Sequence, residues 1–137
     1  MIVIDASVAN KLFLPHENNY IIASKILRNH ILKVKEILVP EFLFYEVANT
    51  LATKSVLSLW KLTNALTKLY YADLHIYHLG ERDLKNAARM AKKFNTSVYD
   101  MLYAVVAKKH KAQLITADEK FVEATKFLFV KLLKDIH

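Results

Sequence analysis

The chain has no cysteine, a single glycine (Gly80) and two prolines in 137 residues. Without cysteine there is neither a disulfide framework nor a thiolate metal site. One glycine excludes the P-loop and the GxGxxG dinucleotide turn, each of which needs several. No GxSxG elbow supports a serine hydrolase, although counting alone leaves a Ser/His/Asp arrangement open. Long apolar runs are also missing: the longest, Met101 to Ala107, falls far short of the roughly 18 residues a spanning helix requires. The opening MIVIDAS has no basic region and meets an acid at Asp5, so it does not read as a signal peptide. The expectation is a soluble cytoplasmic protein with no membrane segment, forming one domain over residues 1–137.

Acids are the scarcer charge. Against 20 lysines and arginines stand 13 aspartates and glutamates, giving a formal charge of +7 spread along the chain. A distributed basic surface suits a polyanion, of which nucleic acid is the commonest, and it also serves simply to keep a small domain soluble.

Apolar patterning supplies the elements. Met1–Ile4 reads as a central strand buried on both faces, followed by a helix over about Ala6–Leu14 that ends before Pro15. Asn18 and Asn19 are cap candidates for a helix over Tyr20–Leu32 with Ile22, Ile26 and Ile31 inward. Glu36–Val39 is the second strand, and Pro40 falls in the first turn of a helix whose stripe is Leu43, Val47 and Leu51, with Glu46 beside it. Ser58 caps a helix through about Tyr71 that carries more apolar surface than one stripe needs. His75–Leu79 is the third strand, ended by Gly80, and Glu81–Phe94 is a helix on Leu84, Ala87, Ala88 and Ala91. Gln113–Thr116, Glu119–Thr125 and Phe127–Leu132 complete the chain as strand, helix and strand. This alternation predicts an α/β fold with a parallel, doubly wound sheet.

The stretch Ser97–Phe121, SVYDMLYAVVAKKHKAQLITADEKF, sets two acids at strategic points. Asp100 opens an apolar helix and Asp118 follows a buried strand, as Asp5 follows the first one. Ligands in such sheets bind beyond the carboxyl ends of the strands, where connections diverge. Each aspartate has a structural alternative: Asp5 and Asp118 as helix caps, Asp100 as partner of Ser97 in a variant capping box. Glu46, flanked by Phe44, Tyr45, Val47 and Ala48, is costly to bury unpaired unless it reaches solvent at the helix edge. Two carboxylates about 5 Å apart repel by roughly 3 kcal/mol at an effective dielectric of 20. Four together need protons or metal, and all-oxygen ligation suits Mg²⁺ or Mn²⁺. His75 and His78 lie three apart on a strand and face opposite sides, which spoils them as a zinc pair.

These residues resemble a known family. The strand into D-A-S (Asp5–Ser7), P-E-F-L-F-Y-E-V-A-N-T-L with Glu46 and Asn49, Y-D-M-L-Y-A (Tyr99–Ala104) and T-A-D-E-K-F (Thr116–Phe121) occur in the order and spacing of PIN-domain ribonucleases, most closely VapC-type toxins. The resemblance implies a three-layer α/β/α domain with a central parallel sheet, acting as a Mg²⁺- or Mn²⁺-dependent endoribonuclease. It puts Asp5, Glu46, Asp100 and Asp118 on the acidic, metal-holding catalytic site, with Ser7, Asn49, Thr116 and Glu119 as accessory positions. It further implies an RNA substrate, a homodimer and a cognate antitoxin, for which Phe42, Phe44, Leu57, Leu59 and Trp60 offer apolar surface, with core packing the alternative use and the expected one for most of them. Rim lysines, among them Lys11, Lys92, Lys93, Lys108, Lys109 and Lys120, are candidates for phosphate contact. The rival reading is a non-catalytic PIN-like module that binds RNA or protein. A DNA-directed flap-type nuclease is a further alternative.

Overall fold

A computed structural model describes residues 1–137. The chain alternates as β1 (Ile2–Ile4), α1 (Ala6–Lys11), α2 (Tyr20–Ile31), β2 (Ile37–Pro40), α3 (Phe42–Thr53), α4 (Leu59–Tyr71), β3 (His75–Tyr77), α5 (Glu81–Phe94), α6 (Val98–Lys109), β4 (Gln113–Thr116), α7 (Glu119–Thr125) and β5 (Val130–Leu132), ending in a 3-10 turn at Leu133–Asp135. All strand pairs are parallel, in the order β3-β2-β1-β4-β5. The chain first steps from β1 through β2 to β3, then returns to the other side of β1 for β4 and β5. Right-handed crossovers put the helices of these two halves on opposite faces. Contacts agree: α1, α2, α3 and α4 pack among themselves, and α5 packs on α6, which lies against β1, β2 and β4. The reversal makes the β1/β4 boundary the switch point.

Burial follows position in the sheet. The central strands β1 and β2 are buried throughout, while the edge strand β3 is largely exposed and correspondingly short. Leu43, Val47 and Leu51 form the buried stripe of α3 as expected, and Ser58 caps α4 by accepting from the Lys61 N–H.

Several expected boundaries shift. Helix α1 stops at Lys11, because Leu12, Phe13 and Leu14 wind on through i to i−3 bonds. Pro40 ends strand β2 opposite Tyr77 instead of opening the helix. Its missing N–H is harmless there, since pairing with β1 stops at Leu38. Strand β5 begins at Val130 rather than Phe127, and β3 ends at Tyr77 rather than Leu79. Ile31 is 61% exposed and Leu84 53% exposed. The inward positions near them belong to polar groups that the core satisfies, His30 and Asp83.

His30 is fully buried at the end of α2. Its Nδ1 accepts from the Ile37 N–H at 3.0 Å, which fixes the Nε2–H tautomer. Nε2 then donates to the Ala72 and Asp73 carbonyls, each at 3.1 Å. One imidazole thus ties α2 to the start of β2 and the end of α4. The glycine shortage is absorbed similarly: left-handed turns use Asn95 after α5, Lys111 after α6 and Lys126 after α7, and no strand-to-helix turn requires one.

Asp83 holds the other end of the sheet's second half. Its carboxylate accepts from the Gly80 N–H (3.0 Å), the Tyr77 hydroxyl (2.8 Å) and Lys109 Nζ (3.2 Å), joining β3, α5 and α6. Burial pushes its pKa up, but these donors outweigh burial and hold it below the usual aspartate value. Asp83→Ala should cost about 2 kcal/mol, because it removes charge-assisted hydrogen bonds that join three elements. The carboxylate's contribution is full above the ordinary aspartate range and is lost as pH falls through its lowered value. Denaturant unfolding in progressively more acidic buffer should therefore bring wild type and variant together.

Candidate active site

Asp5 leaves β1 at the switch point. The register Ile4↔Ile115 places it beside the end of β4, and its side chain caps α1. Oδ1 accepts from the Val8 N–H at 3.1 Å and from the Ser7 hydroxyl, and Oδ2 accepts from the Thr116 hydroxyl. Thr116 Oγ1 accepts in turn from the Asp118 N–H at 3.0 Å, and Ser7 Oγ from the Ala117 N–H at 2.9 Å. Two hydroxyls therefore lace the end of β1 to the end of β4. Asp118 caps α7 through Oδ1, which accepts from the Phe121 N–H at 3.0 Å. Both structural roles considered for these aspartates are real, and they do not exhaust the acids. A carboxylate oxygen has two lone pairs. On Asp5, Oδ1 is filled and Oδ2 keeps one; on Asp118, Oδ2 meets no protein donor.

Asp100 and Glu46 approach from α6 and α3. Ser97 accepts from the Asp100 N–H at 3.0 Å, which starts α6, but the return bond of a capping box is not made. Glu46 Oε1 accepts from the Tyr103 hydroxyl at 2.6 Å. Tyr103, one turn after Asp100, is buried at 1% exposure with its ring against Phe42. Sequence reasoning passed over it, although its place in Y-D-M-L-Y-A puts it on the same helical face as Asp100.

The four acids sense one another. Burial, partly countered by the Ser7 and Thr116 hydroxyls and the Val8 N–H, pushes Asp5 up to about 6, and Asp100 adds to the rise. Burial and then Asp100 raise Glu46, against the Tyr103 bond that lowers it. Burial and then Asp118 raise Asp100, against Ser97. Asp100 is thus the centre of the set. None of the four takes part in any of the ion pairs, which engage Glu17, Glu36, Glu41, Glu81, Asp83 and Glu119. Nor are three acids or histidines drawn together to coordinating distance of a single point. Oxygen donors with free lone pairs and no cation fit a hard divalent ion, and Mg²⁺ in particular tolerates a loose set because it keeps several of its waters.

The accessory positions divide. Ser7 and Thr116 are in the network. Asn49 is exposed on α3, and its carbonyl accepts from Thr53. Glu119 is exposed and bonded to Lys134 at 2.6 Å. Of the apolar residues divided between partner surface and core, Phe44 is core, packed on Tyr70, and Phe42 is taken up by Tyr99 and Tyr103. Leu57 and Trp60 do line an open groove of about 680 Å³ between α2 and α4, with Phe13, Leu27 and Ile31 opposite.

Comparison with known proteins settles the family. The PIN domain model matches residues 2–126. The chain belongs to the PIN domain family. Among curated PIN-domain relatives, Ribonuclease VapC3 of Pyrobaculum aerophilum is 29% identical over 127 residues, covering 89% of this chain and 92% of that protein. Solved structures share the PIN fold. The crystal structure of PAE2754 from Pyrobaculum aerophilum matches with a TM-score of 0.72 at 19% identity, covering 97% of this chain and 83% of the other. VapC20 of Mycobacterium tuberculosis, a Sarcin-Ricin loop cleaving toxin, gives 0.70 at 15% identity over 91% and 95%. A toxin–antitoxin complex from Klebsiella pneumoniae gives 0.69 at 12% over 97% and 98%.

The raised pKa of Asp5 fixes a direction for stability. With a folded value of about 6 against an ordinary 3.8, the metal-free PIN domain is fully stable with respect to this group below the ordinary value. It should lose about 3 kcal/mol as pH rises through 6. Denaturant unfolding in EDTA should show that loss between pH 4 and pH 8, and Asp5→Asn, which can still cap α1, should diminish it.

Proposed function

We propose that this PIN domain is a Mg²⁺- or Mn²⁺-dependent endoribonuclease and the toxin of a toxin–antitoxin pair, a single-domain cytoplasmic protein that works as a homodimer. The observation that carries the proposal is a set of four acids, Asp5, Glu46, Asp100 and Asp118, that no cation neutralises in a chain of charge +7. A ribonuclease relative of near-equal length supports RNA as the substrate.

Asp5, Asp100 and Asp118 would hold the ion directly or through its waters, Asp5 by the one free lone pair of Oδ2. Such an ion would supply positive charge for the phosphodiester and lower the pKa of water. Ser7 and Thr116 keep the Asp5 carboxylate from rotating. Glu46, raised by burial and steered by Tyr103, acts as general base in this reading. It takes the proton of the attacking water as the new P–O bond forms, and the bridging P–O bond breaks, its oxygen leaving with a proton from solvent. The α2/α4 groove, apolar within and edged by Arg28, Lys61 and Lys68, suits an antitoxin segment carrying acids among apolar residues.

Purified, antitoxin-free protein given labelled total RNA should yield discrete products in Mn²⁺, none in EDTA, and at least 100-fold less from Asp100→Asn. Identical lanes under all three conditions would overturn the assignment.

A further inference from the structure

Helices α5 and α6 form an antiparallel hairpin. Its open end is closed by the Asp83–Lys109 pair, and its turn, Asn95–Ser97, leads directly into Asp100. Along the outer face of α5, Arg82, Asn86, Arg89 and Lys93 recur at three- and four-residue intervals, with Lys85 and Lys92 flanking them. Lys108 and Lys109 lie alongside on α6, and a shallow groove between the helices is lined by Arg82, Asn86, Arg89, Lys108 and Lys109. All seven of these cations are exposed. The acids of α5 are already spent: Glu81 pairs with Lys85 at 2.6 Å and Asp83 with Lys109 at 3.2 Å. Arg82, Arg89, Lys92, Lys93 and Lys108 have no carboxylate partner, and Asn86 steadies the Arg89 guanidinium at 3.2 Å.

The stripe from Arg82 to Lys93 is about 16 Å long at 1.5 Å per residue. Hairpin register carries it from the Lys109 end towards the level of Asp100, because the Asp83–Lys109 contact sets Lys92 across from Asp100. An unneutralised basic row therefore climbs one helix and ends at the level of Asp100. We propose that this α5 face, continued by Lys108, is the track that holds the phosphate backbone of single-stranded RNA and delivers the scissile bond to the carboxylates. The inference rests on the ribonuclease reading above. The occupant is chosen by charge: a linear polyanion complements a linear row of cations, and arginine donors match phosphate oxygens bidentately.

The test uses the full chain as Asp100→Asn, to separate binding from cleavage, with and without Arg82→Gln, Arg89→Gln and Lys93→Gln together. Kd for a fluorescent single-stranded RNA is measured across salt concentrations, and poly-glutamate of matched charge serves as competitor. Each lost phosphate contact lowers the slope of log K against log salt by about 0.7, so the triple change should lower it by about 2 and weaken binding at least tenfold at low salt. In the cleaving background it should raise KM and leave kcat nearly unchanged. An unaltered Kd and slope would overturn the track while leaving the nuclease reading intact. Displacement of RNA by poly-glutamate at equal charge would also overturn it, in favour of an acidic protein partner. Salt-dependent binding lost in the triple variant, from a chain that cleaves no RNA, would instead uphold the track and remove the nuclease.

Discussion

Burial of acids that no cation faces, to which their mutual repulsion adds, is the constraint on which this structure turns. Burying an ionised carboxylate without a partner is among the costlier things a fold can do. The chain carries 20 lysines and arginines and forms ion pairs elsewhere, so the deficit is local and not a shortage of cations. At the switch point the partners supplied to Asp5 are hydroxyls and a backbone amide, which orient a carboxylate without cancelling its charge. The result is a set of oriented acids without cations in a positively charged molecule. Such a set is stabilised by whatever positive ion approaches it.

Topology produces that arrangement from distant parts of the chain. Asp5 and Asp118 are separated by most of the sequence, and the insertion of β1 between β2 and β4 brings their strand ends side by side. Helix α6 lies on β1, β2 and β4, so its first turn delivers Asp100 to the same edge. Tyr103, on the next turn of that helix, reaches across to Glu46 on α3 and so couples the two layers. Capping does not use up these acids. One oxygen of Asp118 starts a helix while the other stays open, and the cap holds the open one in place.

Much of this was legible in the residues. Short β-branched runs ending in an acid marked β1 and the end of β4, and Ser58 and Ser97 marked helix starts, because caps and buried central strands are local signals. Periodicity misled where a polar group takes a core position. His30 displaces Ile31 outward because its hydrogen-bond partners lie on other elements, which no local pattern reveals, and Asp83 displaces Leu84 because the Gly80 N–H, Tyr77 and Lys109 all draw it inward. Phe44, left between partner surface and core, is core, and the neighbour that decides it, Tyr70, comes from the next helix. Pro40 was assigned to a helix because its place at the end of a strand depends on where pairing with β1 stops. At the site, the four acids are candidates already in the sequence. The Ser7–Asp5–Thr116 lacing and the Tyr103–Glu46 bond could not be read there, since each depends on register or packing between remote segments.

The most direct test of the central claim, that these acids form a divalent-cation site, is thermal unfolding of the protein with and without Mn²⁺, beside Asp100→Asn. Ion binding only to the folded state at 100 times Kd adds about 2.7 kcal/mol, so the wild-type Tm should rise by several degrees in millimolar Mn²⁺. Asp100→Asn should shift far less. An unchanged wild-type Tm, or an equal rise in both proteins, would contradict the account.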